Sequence, residues 1–343
     1  MSEQPFEFSE APAKWGPCIG AVAMAILSLG AGHLTVRHHA PAAALLFGLA
    51  GFTIVSSIGA RIARTGTLGM RWARSRSANL VAVRRRESSA RPRLWLVAHL
   101  DSKSQTIPML LRIAAVVAFA LCFAGMLAAM VAMLATQSAD LRDRMLHVVH
   151  VMSVLASVSL LPIILCFIGN RSPGAADNAS GVASVLLAAE MPGHREDVGV
   201  LLTSGEELGL AGARAFARDE AEAGTAINCD TIDDDGRFIC MASGRKSGRL
   251  DSAIDRAATR LGIDTLPAQS RRRDAVRLRG MIPGILADNI AFTDAGWESF
   301  TLSRGNLGTL ARVHTSRDRA ELIEGTGIAH AARLLAAIVE ELS

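Results

Sequence analysis

Two kinds of pattern alternate along the chain. Four stretches contain no Asp, Glu, Lys or Arg: Trp15 to Val36, His38 to Ala60, Ile113 to Ala139 and Met145 to Asn170. About 20 mainly apolar residues suffice for a helix to cross a bilayer, so each stretch predicts a transmembrane helix. A cleaved signal peptide fits the first stretch poorly, because a second follows almost at once and acidic residues precede it. Elsewhere the apolar runs are shorter. Asn79–Val83, Leu94–Ala98, Val198–Thr203, Ala226–Asn228 and Phe238–Met241 read as strands. Val182–Glu190, Leu210–Arg218, Leu250–Leu261 and Gly327–Leu342 follow a helical period. Strands alternating with helices predict an α/β sandwich with helices on both faces of a sheet. The stretch Ser243–Gly280, rich in Arg, Ser and Gly, fits neither pattern.

Charge adds orientation. The net charge is +4. Arg61, Arg64, Arg71, Arg74 and Arg76, then Arg84, Arg85 and Arg86, follow the second apolar stretch, whereas Arg37 alone separates the first two. The excess of basic residues places 61–107 in the cytoplasm, and an even number of further crossings returns residue 171 to the same side. Segments 61–107 and 171–343 can then build one domain. The same bias accounts for the basic balance, and no nucleic-acid-binding module accompanies it. Of the five cysteines, Cys18, Cys122 and Cys166 lie in apolar stretches, and Cys229 and Cys240 form no CxxC pair. That usage fits a reducing compartment.

Five short motifs offer chemistry. In Leu96-Val97-Ala98-His99-Leu100-Asp101, an apolar run ends in His-x-Asp. Residues two apart on a strand share a face, so Asp101 can reach the ring of His99 and fix its tautomer. In Gly174-Ala175-Ala176-Asp177-Asn178-Ala179-Ser180-Gly181, an acid stands before an apolar helix, where a capping role is an equally natural reading. Glu206 and Glu207 follow the apolar strand Val198–Thr203. Adjacent carboxylates repel unless a cation or a proton compensates, so one is a candidate ligand and the other a proton carrier, with a solvated loop as the plain alternative. Asp230 closes the run Ile227-Asn228-Cys229. The acids Asp233, Asp234 and Asp235 read as a solvated turn. His314 precedes the C-terminal amphipathic helix, and Asp318 is a candidate helix cap.

Taken in order, AHLDS, GAADNASG, GEELGLAG, NCD and VHTSRD resemble the two-zinc aminopeptidases of metallopeptidase family twenty-eight. The resemblance covers residues 79–107 and 171–343. It implies a zinc-peptidase-type α/β/α sandwich with a mixed central sheet, here joined to four transmembrane helices. It implies two zinc ions held by His99, Asp177, Glu207, Asp230 and His314, with Asp177 bridging them. Glu206 would be the general base, Asp101 would orient His99, and Asp288 would lie near the substrate pocket. Two His and three carboxylates form a nitrogen and oxygen donor set suited to zinc. Three ligand carboxylates and one metal-bridging hydroxide balance two divalent ions.

The domain expectation is two N-terminal transmembrane helices over 1–60 and the first part of the peptidase domain over 61–107. An inserted transmembrane hairpin would occupy 108–170, and the second part of the domain 171–343. The expected function is membrane-embedded, zinc-dependent exopeptidase activity of the aminopeptidase kind, in a multi-pass protein of the bacterial inner membrane. Its partners would be a peptide substrate and the lipid bilayer, with no nucleic acid. The alternatives are a membrane scaffold or receptor with a degenerate peptidase domain, and single-zinc glutaminyl cyclisation, which the presence of His99 disfavours. The chain departs from the family in lacking tyrosine, which several relatives use to stabilise the oxyanion, and in the inserted hairpin.

Overall fold

The computed structural model describes every residue except 84–91, 192–197, 221, 243–247, 264–285 and 343. Arg84, Arg85 and Arg86 therefore lie outside the described residues, as does the Ser243–Gly280 stretch apart from 248–263. The chain divides into two compact units. One comprises Met1–Glu10, Thr67–Gln105 and Gly169–Ser343, and the other Ala11–Gly66 and Thr106–Ile168.

The first unit is a sheet covered on both faces. Its strands are β1 (Ser2–Ser9), β2 (Arg74–Val83), β3 (Leu94–His99), β4 (Val198–Thr203), β5 (Thr225–Ile232), β6 (Arg237–Ala242) and β7 (Glu298–Gly305). Among the described residues they form one seven-stranded sheet in the order β1-β2-β4-β3-β5-β7-β6. The inner strands β4, β3, β5 and β7 are parallel, while β1, β2 and β6 run antiparallel to their neighbours. The sheet is thus mixed, with its parallel strands in the middle, where both faces are covered.

The period of two decides which side chain goes where. On β3, Leu96 and Ala98 join one apolar cluster with Val185, Ile254, Leu335 and Ile338, while Trp95 and Val97 join another with Phe216, Phe292 and Trp297. The first cluster receives helices α5 (Ser180–Glu190), α7 (Gly248–Leu261) and α10 (Thr326–Leu342), and the second receives α6 (Ala211–Asp219) and α8 (Asn289–Asp294). Strand β1 is absent from the sequence expectation. Its residues Phe6 and Phe8 pack against Ala211 and Ala215 in a small cluster of their own.

The second unit consists of α1 (Ala11–His38), α2 (Pro41–Arg61), α3 (Met109–Ala135) and α4 (Ala139–Ser159). All four helices are long and apolar enough to cross a membrane. Phe119, Phe123, Met126, Met130, Val149 and Ala156 form its core with Leu27, Ala31 and Ala44. Helix α4 begins earlier than the charge-free stretch at Met145 suggests. Ser138 accepts a hydrogen bond from the Leu141 N–H at 3.3 Å, and Asp140 in the first turn pairs with Arg144 at 2.9 Å. A capping hydroxyl, an acid near the positive helix end and an i,i+4 ion pair all favour starting there.

Candidate metal centre

In an open α/β sheet, functional groups gather beyond the carboxyl ends of the parallel strands. That edge collects the chemistry here. His99 is the last residue of β3, Glu206 and Glu207 follow β4, and Asp230 lies near the end of β5. Asp177 precedes α5, and His314 follows the short helix α9 (Leu307–Arg312). All six side chains are buried.

The arrangement around Asp177 has two sides. Its Oδ1 stands 3.2 Å from His99 Nε2, and its Oδ2 stands 3.0 Å from His314 Nε2. On the first side, Asp230 Oδ1 lies 3.5 Å from the same His99 nitrogen. On the second, Glu207 Oε1 lies 3.1 Å from His314 Nε2. Two groups could each hold a metal ion: His99, Glu206 and Asp230, and Asp177, Glu207 and His314. Glu206 thus belongs to the His99 side and Glu207 to the His314 side.

The other ring nitrogen of each histidine is occupied. His99 Nδ1 is 2.9 Å from the main-chain carbonyl of Asp101, and His314 Nδ1 is 3.0 Å from Gln105 Oε1. An acceptor at Nδ1 fixes the proton there and leaves Nε2 as a lone pair. Each Nε2 lone pair then faces carboxylate oxygens, an arrangement that a cation or an added proton must neutralise. Ligand bonds of about 2.1 Å to a tetrahedral zinc place neighbouring donor atoms about 3.4 Å apart. The observed spacings lie close to that value, so these residues fit zinc.

Electrostatics tell the same story. Burial alone would lower the His99 value, but the Glu206 charge and the Asp177 and Asp230 carboxylates hold it well above the ordinary imidazole range. Burial also opposes protonation of His314, yet Asp177 and Glu207 raise it to about 9. In the metal-free protein the imidazoles therefore serve as the cations. Glu206 is pushed well above the usual carboxylate range, first by burial and then by the like charges of Glu207, Asp230 and Asp288.

Backbone geometry holds the ligands in place. The Asp101 carboxylate does not orient His99 as the strand geometry suggested, because Asp101 lies beyond the end of β3, and Oδ1 is 3.8 Å from Nδ1. Its two oxygens instead accept the N–H groups of Glu206 and Glu207, each at 3.1 Å, while its main-chain carbonyl takes the ring. Asp318 likewise caps no helix of its own. It accepts the N–H groups of Ala176 (2.8 Å) and Asp177 (3.1 Å). Asn178 accepts from Gly181 N and Thr231 N and donates to the Cys229 carbonyl, tying the Asp177 loop to β5. A Cβ on Gly181 would sit 2.1 Å from Asn178 Oδ1 and 2.4 Å from the Cys229 carbonyl, so only glycine fits.

Asp233 is no solvated turn residue. Its Oδ2 accepts from Thr309 Oγ1 (2.5 Å) and Arg312 (2.7 Å), bracing the helix before His314. Asp288 is buried, takes a hydrogen bond from Thr203 Oγ1 at 2.5 Å, and is raised to about 7, mainly by burial. The charged groups that act on it are His99, Asp101 and Asp230. Two residues near the centre escaped the sequence reading. Gln105 holds His314 from both sides, since its N–H also donates to the His314 carbonyl at 2.9 Å. Lys103 Nζ lies 2.6 Å from Glu207 Oε2.

The sequence profile of Peptidase family M28 matches residues 79–339. No curated protein matches the chain. Among solved structures, it is similar to BSAP, a zinc aminopeptidase from Bacillus subtilis, with 18% identity and a TM-score of 0.47 over 78% of this chain and 50% of that one. Similarity to the LapA aminopeptidase of Legionella pneumophila has 14% identity and a TM-score of 0.46, over 77% of this chain and 54% of that one. For the Fimbriiglobus ruber glutaminyl cyclase the values are 17% and 0.43, over 79% of this chain and 76% of that one. The chain therefore spans about half the length of the solved aminopeptidases it is similar to.

Proposed function

We propose, from the premise that the chain belongs to Peptidase family M28, that it is a membrane-embedded aminopeptidase with two zinc ions. One observation carries this reading. The two oxygens of Asp177 face two histidine nitrogens whose rings are already fixed through their other nitrogen. His99, Asp230 and Asp177 would hold one ion, and His314, Glu207 and Asp177 the other. Bound there, zinc would supply Lewis acidity and an acidified water.

The chain's own residues do the rest. Glu206, buried on the His99 side, takes a proton from the attacking water as the water oxygen bonds to the carbonyl carbon. When the C–N bond breaks, Glu206 returns that proton to the leaving amine. Asp101 holds the Glu206-Glu207 turn through two amides, so the base cannot drift from the pair of sites. The peptide is the substrate class, consistent with the family.

Connectivity supports membrane embedding. The strands of one sheet must lie on one side of a bilayer, and β1, β2 and β4 come from three segments separated by residues 11–66 and 106–168. Each intervening run must then cross an even number of times, and each holds two candidate spans. Arg74 and Arg76 pair with Glu7, whereas Arg61, Arg64 and Arg71 are exposed after the second span, which supports a cytoplasmic peptidase domain in a bacterial inner membrane.

The test uses the purified full-length chain in nanodiscs. It should hold two zinc ions per chain by elemental analysis and release arylamine from an aminoacyl-arylamide. Chelation should abolish turnover, and added zinc should restore it. A chain that takes up no zinc, or takes it up without hydrolysing any peptide in a library, refutes the reading. Reporter fusions after residues 85 and 343 should both report cytoplasm.

A further inference from the structure

The proposed centre contains a positive side chain that the family motifs do not account for. Lys103 lies on the loop after β3, half-buried, with 18% of its side chain exposed. Its Nζ stands 2.6 Å from Glu207 Oε2 and donates to the Glu207 main-chain oxygen at 3.4 Å. The other carboxylate oxygen, Oε1, is buried and faces His314 Nε2 at 3.1 Å. The two oxygens of Glu207 are thus divided between the ammonium and the candidate metal position.

Formal charges on the two sides differ. Asp230 and Glu206 stand with His99, whereas Glu207 stands with His314 and its charge is offset by Lys103. Asp177 is shared. Leaving aside Asp177 and the proton carrier Glu206, one uncompensated carboxylate, Asp230, serves the His99 side and none serves the other. In a buried site such a difference is screened little by salt, and an ammonium repels a divalent ion across one carboxylate.

We propose that Lys103 makes the two metal positions unequal, restricting Glu207 to one ligand oxygen and weakening zinc binding on the His314 side. The inference rests on the two-zinc reading above. Its consequence is ordered loading: the His99 side fills first, and the His314 side fills only as zinc becomes more available.

The test is a zinc titration of metal-free, full-length protein in nanodiscs against a chelator buffer. Wild-type protein should bind two ions with affinities at least about tenfold apart. Lys103→Gln keeps a donor for Oε2 but removes the charge, so it should tighten the weaker site about tenfold or more and leave the stronger one alone. Lys103→Arg should resemble wild type. His314→Ala should remove the weaker site, and Asp230→Ala should weaken the stronger. Lys103→Met makes the same prediction as Lys103→Gln if the Gln variant fails to fold. A second-site affinity that stays unchanged or falls in both neutral variants overturns the proposal while leaving the two-zinc reading intact. So does loss of the stronger ion in His314→Ala. Wild-type protein that binds no zinc overturns both.

Discussion

The sheet unit and the helical unit contain similar apolar side chains but dispose of them in opposite ways. In the sheet unit, Leu96, Leu201, Ile227, Phe300 and Leu302 are at most 1% exposed. In the helical unit, Leu46, Leu121 and Ile54 are 68%, 70% and 58% exposed. Removing apolar area from water drives the first arrangement. The second makes sense only where the surroundings are themselves apolar, so that nothing is gained by turning leucine inward. Buried polar groups differ in the same way. Ser28, Thr35 and Ser153 of the helices donate to carbonyls of their own helix at 2.8 to 3.0 Å. The sheet unit instead buries carboxylates and imidazoles at one edge and holds them by bonds between distant segments. The buried hydroxyls of one unit are satisfied within their own helix, and the other unit gathers ionisable groups at a single place.

The largest expected effect tests that accumulation. Glu206→Gln preserves shape and hydrogen-bonding capacity but removes the proton carrier. Turnover on a peptide arylamide should fall by about 10² to 10⁴, with zinc content and thermal midpoint unchanged. Wild-type turnover in this variant would remove Glu206 from its proposed role.

Packing comes next. Phe216 lies against Trp95 with ring centroids 4.8 Å apart and contacts Phe292 and Trp297. Phe216→Ala should cost about 3–5 kcal/mol, read from denaturant unfolding in nanodiscs. Leu121→Ala, on the exposed face of α3, should cost less than about 0.5 kcal/mol. Equal losses would erase the contrast between the units.

Proton competition for the metal centre is smaller. His314 is raised to about 9 in the metal-free protein, so below that pH its Nε2 carries a proton that zinc must displace. Folded metal-free protein binds this proton and loaded protein does not, so apparent zinc affinity rises with pH and levels off above about 9. Between pH 7 and 9 the weaker site should gain about fiftyfold, roughly tenfold per unit for one proton released until the curve bends near 9. An affinity flat across that range contradicts the assignment of His314.

The legible parts of the molecule are those written locally. The unbroken apolar run Leu94-Trp95-Leu96-Val97-Ala98 marks a strand buried on both faces, and β3 occupies Leu94–His99. The charge-free stretches mark helices whose ends shift by a few residues, as at Ser138, where a cap outweighs hydropathy. Strand β1 was not legible, because only its end near Phe6 and Phe8 is buried and it is stabilised by pairing with Arg74–Val81, some seventy positions away. The same limit applies within the site. Motif order singles out His99 and Glu207, but nothing near Lys103 or Gln105 in sequence indicates that Glu207 and His314 are their partners. Local chemistry permits Asp318 to cap the helix that follows it in sequence, whereas its bonds reach Ala176 and Asp177.

Asp234 gives the smallest test and the sharpest instance of that limit. Three acids in a row beside Gly236 read as a solvated turn. The structure instead aims the Asp234 carboxylate at the start of α10. It accepts from Gly327 N at 2.7 Å, Thr326 Oγ1 at 2.9 Å, Gly325 N at 3.3 Å, and also Glu324 N. These are orphan donors of a helix N-terminus, and the acid caps them from ninety residues away in sequence. Asp234→Ala should therefore cost about 1 kcal/mol, the usual loss for a removed cap, and Asp234→Asn less. Burial would raise the carboxyl, but the amide donors win and hold it below its ordinary value. A group depressed in the folded state contributes above its unfolded value and loses that contribution as pH falls through the folded one. The gap between wild type and Asp234→Ala, measured by denaturant unfolding, should thus be full at neutral pH and shrink below about pH 4. A gap that persists in acid would mean that the side chain acts there through packing rather than through its charge.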